Sequence, residues 1–198
     1  MAYGANGQIE PALASSWTVS VADTGIETIR FTLREGVTFH DGAAFTCAVV
    51  KLNFDHVFVP NLRTADWHGW YGLPGALDSW SCDGETFVLV ASKPYYPLLQ
   101  ELTYIRPLRM LSPDAFADGI TTSPVTKNSC PAGWGTVDGT DDYPAVECVG
   151  TLYPSGTGPF KFESREKIAP NNVDNSTDAR VVFAANENYW NGVRGTHY

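Results

Sequence analysis

The sequence predicts an α/β fold, and three features carry that expectation. Thr18 to Ala22 and Glu27 to Leu33 flank Asp23-Thr24-Gly25 as two strands flank a hairpin turn. A helical pattern then runs from Thr46 toward Pro60. Strand character returns at Gly156 to Phe162 and at Val181 to Ala185. At 198 residues, 43% hydrophobic and 13% aromatic, the chain suffices for one good core or for two small lobes sharing strands.

Taken in order, Gly4 to Gly7 reads as a turn and Glu10 to Trp17 as a short helical or turn-like link into the first strand. In Ile29-Arg30-Phe31-Thr32-Leu33 apolar residues alternate with polar ones, the period of a half-buried strand. Val37 to Phe39 continues the sheet and His40-Asp41-Gly42 makes a tight turn. Thr46 can cap the following helix, because its hydroxyl accepts a first-turn amide; the apolar face includes Val49, Val50, Phe54 and Val57, and Pro60 ends it. Residues 61–75 form an aromatic loop with Trp67, Trp70 and Tyr71. A second strand pair, Ala76 to Ser81 and Thr86 to Ala91, turns at Cys82-Asp83-Gly84. Tyr96 to Leu102 starts a short helix with Pro97 near its first turn, and Ser112 to Phe116 starts another. From about 119 to 155 there is no periodicity, the mark of a long surface insertion.

Thirteen basic residues stand against 22 acidic ones, for a formal net charge of −9. That balance excludes nucleic acid as a partner, since neutralising phosphates takes clustered Lys and Arg. The longest apolar stretch, Phe45 to Phe58, is broken by Lys51, Asn53, Asp55 and His56 and falls short of the ~20 residues of a membrane span. Met1-Ala2-Tyr3-Gly4 has neither the basic start nor the apolar run of a signal peptide. The protein is therefore either cytosolic or exported by a signal outside this chain. The cysteines favour export. Cys47, Cys82, Cys130 and Cys148 contain no CxxC pair and no His at metal-finger spacing. Cys130 and Cys148 bracket a segment rich in Gly, Pro, Asp and Thr. A bridge there would contribute about 3 kcal/mol. Cys47 and Cys82 are then left to pair; the spacing does not fix the connectivity, and buried reduced thiols are the alternative. Asn175-Ser176-Thr177 has the pattern of a glycosylation acceptor.

The order of motifs then carries a resemblance. Pro11 to Trp17 is followed by Phe31-Thr32-Leu33-Arg34-Glu35-Gly36-Val37-Thr38-Phe39-His40-Asp41-Gly42, by Pro94 to Leu102, by Gly156-Thr157-Gly158-Pro159-Phe160, and by Asn186-Glu187-Asn188-Tyr189-Trp190. This series resembles the family 5 solute-binding proteins of ABC importers, over about residues 3 to 192. The resemblance implies a fold of the periplasmic-binding-protein type II, with the small lobe and part of the large lobe present. Residues 1–36 are then early strands of the large lobe, 37–155 the small lobe with the cysteine-flanked insertion at about 119–155, and 156–198 the return to the large lobe. Pro94 to Arg109 is most similar to the nickel-binding branch, in which the first Arg of an Arg-Pro-x-Arg pattern grips the carboxylates of a metal chelator; the matching residue is Arg106. A second cleft Arg, set before a Trp, corresponds to Arg63 with Trp67, and a spacing difference of about a residue makes Trp70 a competitor. Tyr71 completes that wall. The branch's metal-contacting His belongs to a later part of the family's sequence. The implied ligand is an anionic metal chelate or a short peptide, the partners are membrane importer subunits, and the location is extracytoplasmic. No cofactor is required, and a divalent metal comes only as part of a chelated ligand.

The residue chemistry agrees with that reading. An Arg fork pairs a carboxylate bidentately, and Trp and Tyr supply apolar contact around it. The same residues also have structural readings, Arg106 as an ion pair and the aromatics as core. Nothing points to an enzyme: GxSxG, HExxH, Walker and GxGxxG patterns are absent, and His40, His56, His68 and His197 are scattered. His40 reads as structural, as does Arg109. Asp66 and His68 make at most two metal ligands on a loop. The chain departs from the family in its length, its insertion and its cysteines. Those departures support one alternative, an extracellular sensor or protein-interaction domain that keeps the fold and uses the insertion around Trp134 as a contact surface.

Overall fold

The computed structural model describes residues 1–58, 72–103, 108–115, 155–167 and 178–192. They divide between two compact units, Met1–Val37 with Phe45–Met110, and Thr38–Ala44 with Leu111–Tyr198.

The first unit opens with a small ladder of β1 (Ala2–Tyr3) and β2 (Ile9–Glu10). Its main element is an antiparallel sheet in the order β3-β4-β6-β5, built from β3 (Ala14–Val21), β4 (Glu27–Leu33), β5 (Leu77–Asp83) and β6 (Thr86–Ala91). The expected hairpin of β3 and β4 is present, and its turn needs Gly25, whose φ of 81° lies in the left-handed region. Ala14 to Trp17, expected as a helical or turn-like link, is already strand and pairs with the end of β4. Here the ladder to β4 overrides a weak local preference. Strands from before and after residue 36 share this sheet.

Pleating sorts the sheet into two faces. Phe31 pairs with Phe87 and Ile29 with Leu89, and all four are buried on the inner face. Arg30, Thr32 and Asp83 point to the exposed face, where Arg30 and Asp83 form a salt bridge. Helix α1 (Cys47–Val57) covers the inner face. Thr46 caps it as expected, its Oγ accepting the Val49 N–H at 3.4 Å. The Glu85 carboxylate, from the β5–β6 turn, accepts the Cys47 N–H at 3.0 Å. An anion and a hydroxyl together satisfy amides that a helix start leaves open. Val49, Val50 and Phe54 are buried as expected, but so are Leu52 and Asn53. A stripe read from one face misses these, because α1 is covered round more of its circumference. Asn53 is tolerated there because its Nδ2 donates to the Val49 carbonyl at 2.9 Å.

Cys47 and Cys82 form a disulfide that ties the start of α1 to the end of β5. Cys130 and Cys148 lie outside the described residues. Two short helices follow, α2 (Leu73–Ala76) and α3 (Leu98–Glu101).

The second unit holds a loop that the sequence suggested was sheet. Thr38 has only an isolated bridge to Ala44, because Phe39 N–H donates to the Ala43 carbonyl (2.8 Å) and Gly42 N–H to the Phe39 carbonyl (3.0 Å) within the loop. Pro113–Ala115 is one 3-10 turn rather than the start of an α-helix. Buried Ser112 donates its N–H to the carbonyl of buried Ser155 at 2.9 Å, so the chain on either side of 113–154 is held together. The insertion between them, apart from Ser155, lies outside the described residues. The unit ends in an antiparallel ribbon of β7 (Phe160–Lys167) and β8 (Asp178–Ala185), with Phe162 and Phe183 in edge-on contact at 6.3 Å.

Candidate functional site

Arg63, Trp67, Trp70 and Tyr71 fall in residues 59–71, and Arg106 in 104–107, both outside the described residues; so do Asp66, His68 and Trp134. The residues that flank those two stretches are described, and they touch. Gly72 and Leu73 follow Tyr71 directly. Glu101 ends α3, on the turn that leads toward Arg106. The Glu101 carboxylate accepts the Gly72 N–H at 3.2 Å and the Leu73 N–H at 2.7 Å.

The local chemistry explains this join. Helix α2 begins with no side-chain cap of its own, since its N-cap is Gly72. Pro74 has no N–H to offer, which leaves the amides of residues 72 and 73 to be satisfied from elsewhere. A carboxylate suits them, because the positive end of the peptide dipoles points its way. Tyr95 completes the arrangement, its hydroxyl donating to Glu101 Oε1 at 2.5 Å. Burial, the hydrogen bond to Glu101 and the negative charge of Glu101 together push the Tyr95 phenol up to about 12, with a backbone hydrogen bond to Gly72 pulling weakly the other way. A phenol that stays protonated stays a donor.

The Tyr95 ring also dictates the residue at 72. A Cβ there would sit 2.0 Å from the Tyr95 hydroxyl oxygen and 2.3 Å from its ring carbon Cζ. The backbone of Gly72 is ordinary (φ −72°), so glycine is required for space, not for conformation. Gly72→Ala is therefore expected to displace Tyr95 and to destabilise the fold by roughly 1–3 kcal/mol, read from urea unfolding. An unchanged midpoint would show that the ring moves aside freely. Next to Glu101, Gln100 Oε1 is buried and, among the described residues, without a hydrogen-bond partner.

Among the remaining candidates, His40 is structural. Its Nε2–H donates to the Gly158 carbonyl at 3.0 Å and its Nδ1 accepts the Gly156 N–H at 3.3 Å. Its own N–H donates to the Gly156 carbonyl (2.9 Å), and Asp41 N–H donates to Ser155 Oγ (3.3 Å). The His-Asp-Gly and Gly-Thr-Gly motifs, far apart in sequence, thus build one joint. Arg109 is exposed. Among the described residues no three His, Cys, Asp or Glu side chains gather as a metal site. The sequence did not single out Glu101, Tyr95 or Gly72 as a cluster. Its one signal was a Glu at the end of a short helix with no basic residue in the helix's last turn.

Comparison with known proteins bears on the whole chain. The profile of the bacterial extracellular solute-binding proteins, family 5 Middle, matches residues 8–197. The nickel-binding periplasmic protein of Escherichia coli (strain K12) is 30% identical over 189 residues, 95% of this chain and 28% of its own. Heme-binding protein A of Haemophilus influenzae is 30% identical over 198 residues, 93% of this chain and 30% of its own. The structure of NikA from Brucella suis in complex with Fe(III)-EDTA superposes with a TM-score of 0.66 at 31% identity, over 96% of this chain and 30% of that one. The chain spans less than a third of the length of each of these relatives.

Proposed function

This chain belongs to the bacterial extracellular solute-binding proteins of family 5, and from that premise we propose that it supplies one wall of a non-catalytic solute site serving ABC-type uptake outside the cytoplasm. The ligand class is an anionic metal chelate first and a short peptide second. Arg106 and Arg63 grip ligand carboxylates, and Trp67, Trp70 and Tyr71 pack against its apolar parts. The complete protein captures the solute by closing its lobes, and importer subunits in the membrane receive it. In this reading residues 156–198 return to the large lobe.

The observation that supports this most is the Glu101 join, which holds the chain next to Tyr71 against the helix that leads to Arg106. The names of the relatives fit the ligand class: nickel, heme and an iron complex of EDTA are each a metal, a metal chelate or both. EDTA and heme bear the carboxylates that an Arg fork recognises.

A thermal-unfolding scan tests it, with nickel(II) plus L-histidine, nickel(II) plus citrate, and di- to pentapeptides. A ligand at a hundred times its Kd stabilises by about 2.7 kcal/mol, a rise in Tm of roughly 5–11 °C for a chain of this size. The rise is expected with a chelate and is expected to vanish in Arg106→Ala. A rise with none of these ligands would overturn a working site in this chain.

A further inference from the structure

The Cys47–Cys82 bridge joins two residues with unlike surroundings. Cys47, the first residue of α1, is 1% exposed. Cys82 is exposed, on the edge strand β5 and beside the turn into β6. Thiol–disulfide exchange requires the incoming sulfur to reach the sulfur it attacks, so access decides which end of a bridge is entered. Attack on Cys47 has to pass through the packing of α1 on the sheet, whereas attack on Cys82 comes from solvent. The sulfur expelled would then be that of Cys47, at the start of an eleven-residue helix, where open amides and the peptide dipoles favour a thiolate.

A fixed negative charge stands beside this bridge. The Glu85 carboxylate accepts the Cys47 N–H at 3.0 Å, and because its partner is an amide it keeps its full charge. Asp83, the neighbour of Cys82, has its charge matched by Arg30. An incoming thiolate that carries further negative charge therefore meets repulsion from Glu85, and one that carries a positive charge does not.

We propose that the Cys47–Cys82 bridge is a redox-sensitive modification site entered at Cys82, where a small thiol forms a mixed disulfide, and that Glu85 selects neutral or cationic thiols over anionic ones. In the exchange a thiolate forms a bond to Cys82 Sγ and the bond between the two cysteines breaks. The electron pair leaves on Cys47 Sγ, which takes a proton from water. A second equivalent of the thiol frees Cys82 and leaves as its own disulfide, so the bridge is reduced and the thiol oxidised. Opening removes the covalent tie between α1 and β5 but leaves the bonds from Thr46 and Glu85 to the first turn of α1 in place. The modified chain therefore stays folded, with the start of α1 looser.

The probes are cysteamine, which is cationic, and glutathione, which carries a net negative charge. The full oxidised chain meets an excess of each in low salt without denaturant, is quenched in acid, digested with pepsin and mapped by mass spectrometry. Acid protonates thiols and halts exchange, so the first adduct survives. That adduct is expected on Cys82, with Cys47 as the free thiol, in about tenfold or greater excess over the reverse arrangement. Adducts first on Cys47, or on both residues equally, would overturn the proposal. So would a bridge that opens only at urea concentrations that unfold the chain. Mapping reads Cys130 and Cys148 separately, so their reactions do not enter. Corrected for the fraction of thiolate, cysteamine is expected to react about threefold or more faster than glutathione. That ratio is expected to shrink in Glu85→Gln, which keeps an acceptor for the Cys47 N–H, and to shrink in about 0.5 M salt. A ratio that Glu85→Gln leaves unchanged would overturn the selection by Glu85; if that variant does not fold, a ratio indifferent to salt does so.

Discussion

Phe54→Ala is expected to lower the unfolding free energy by about 3–5 kcal/mol, the range for removing a fully packed aromatic ring from a core. The Phe54 ring sits at the centre of the first unit, with ring centroids 4.7 Å from Phe87, 5.5 Å from Phe58 and 5.9 Å from Trp80. It is 3% exposed, so the substitution leaves a cavity bordered by three other rings, which cannot all close in without losing their contacts with one another. Trp80 is held in place from a second side, its Nε1–H donating to Asp55 Oδ1 at 2.8 Å, which limits relaxation further. A domain has only about 5–15 kcal/mol of net stability, so a loss of this size leaves the fold marginal. Urea unfolding followed by circular dichroism measures it. Tyr96→Ala serves as the control, because that ring is 88% exposed and the change is expected to stay within about 0.5 kcal/mol. Equal effects at the two positions would mean that α1 does not pack on the sheet as described.

Removing the Cys47–Cys82 bridge in the double variant Cys47→Ala/Cys82→Ala is expected to cost roughly 3–4 kcal/mol and to lower Tm by about 7–14 °C. The bridge closes a sequence separation of 35, long enough for the cross-link to remove substantial freedom from the unfolded chain. It runs between the start of α1 and the end of β5, the elements that Phe54 and Trp80 also join. Alanine suits position 47, which is buried among apolar groups and needs no hydrogen-bond partner for its side chain. The Glu85 carboxylate still holds the residue 47 N–H, so the variant is expected to fold with α1 in place. Reductant should lower the stability of wild type by more than that of the double variant, the difference being the share of the Cys47–Cys82 bridge. No difference between oxidised and reduced wild type would show that the bridge contributes nothing to this fold. A structural disulfide belongs to an oxidising compartment, in accord with the periplasmic names of relatives.

Much of the fold was legible residue by residue. The β3–β4 hairpin, the strand pair at β5 and β6, and the Thr46 cap follow from signals contained within a few residues: alternation, a turn glycine, a hydroxyl before an apolar run. Two of the errors share one cause. Ala14 to Trp17 and Val37 to Phe39 have short apolar patterns compatible with more than one state, and their backbone hydrogen-bond partners decided between them. Less of the site was legible. Arg63, Trp67, Trp70, Tyr71 and Arg106 came from motif resemblance and chemistry, and they remain proposals. Glu101, Tyr95 and Gly72 were passed over because each is ordinary in its own sequence window.

The sequence by itself determined the strands, the capped helix and the family, since propensity, periodicity and motif order are local properties that survive without knowledge of the chain's path. It also showed that four cysteines were available, without choosing partners. Tertiary structure fixed the Cys47–Cys82 pairing that the sequence had offered without settling, joined His40 to Gly156 across 116 positions, and brought Glu101 to Gly72 across 29. Each of those contacts satisfies a group that its neighbours in sequence leave open. Which distant residue satisfies it depends on how the elements pack, and no window of the sequence contains both halves of the bond.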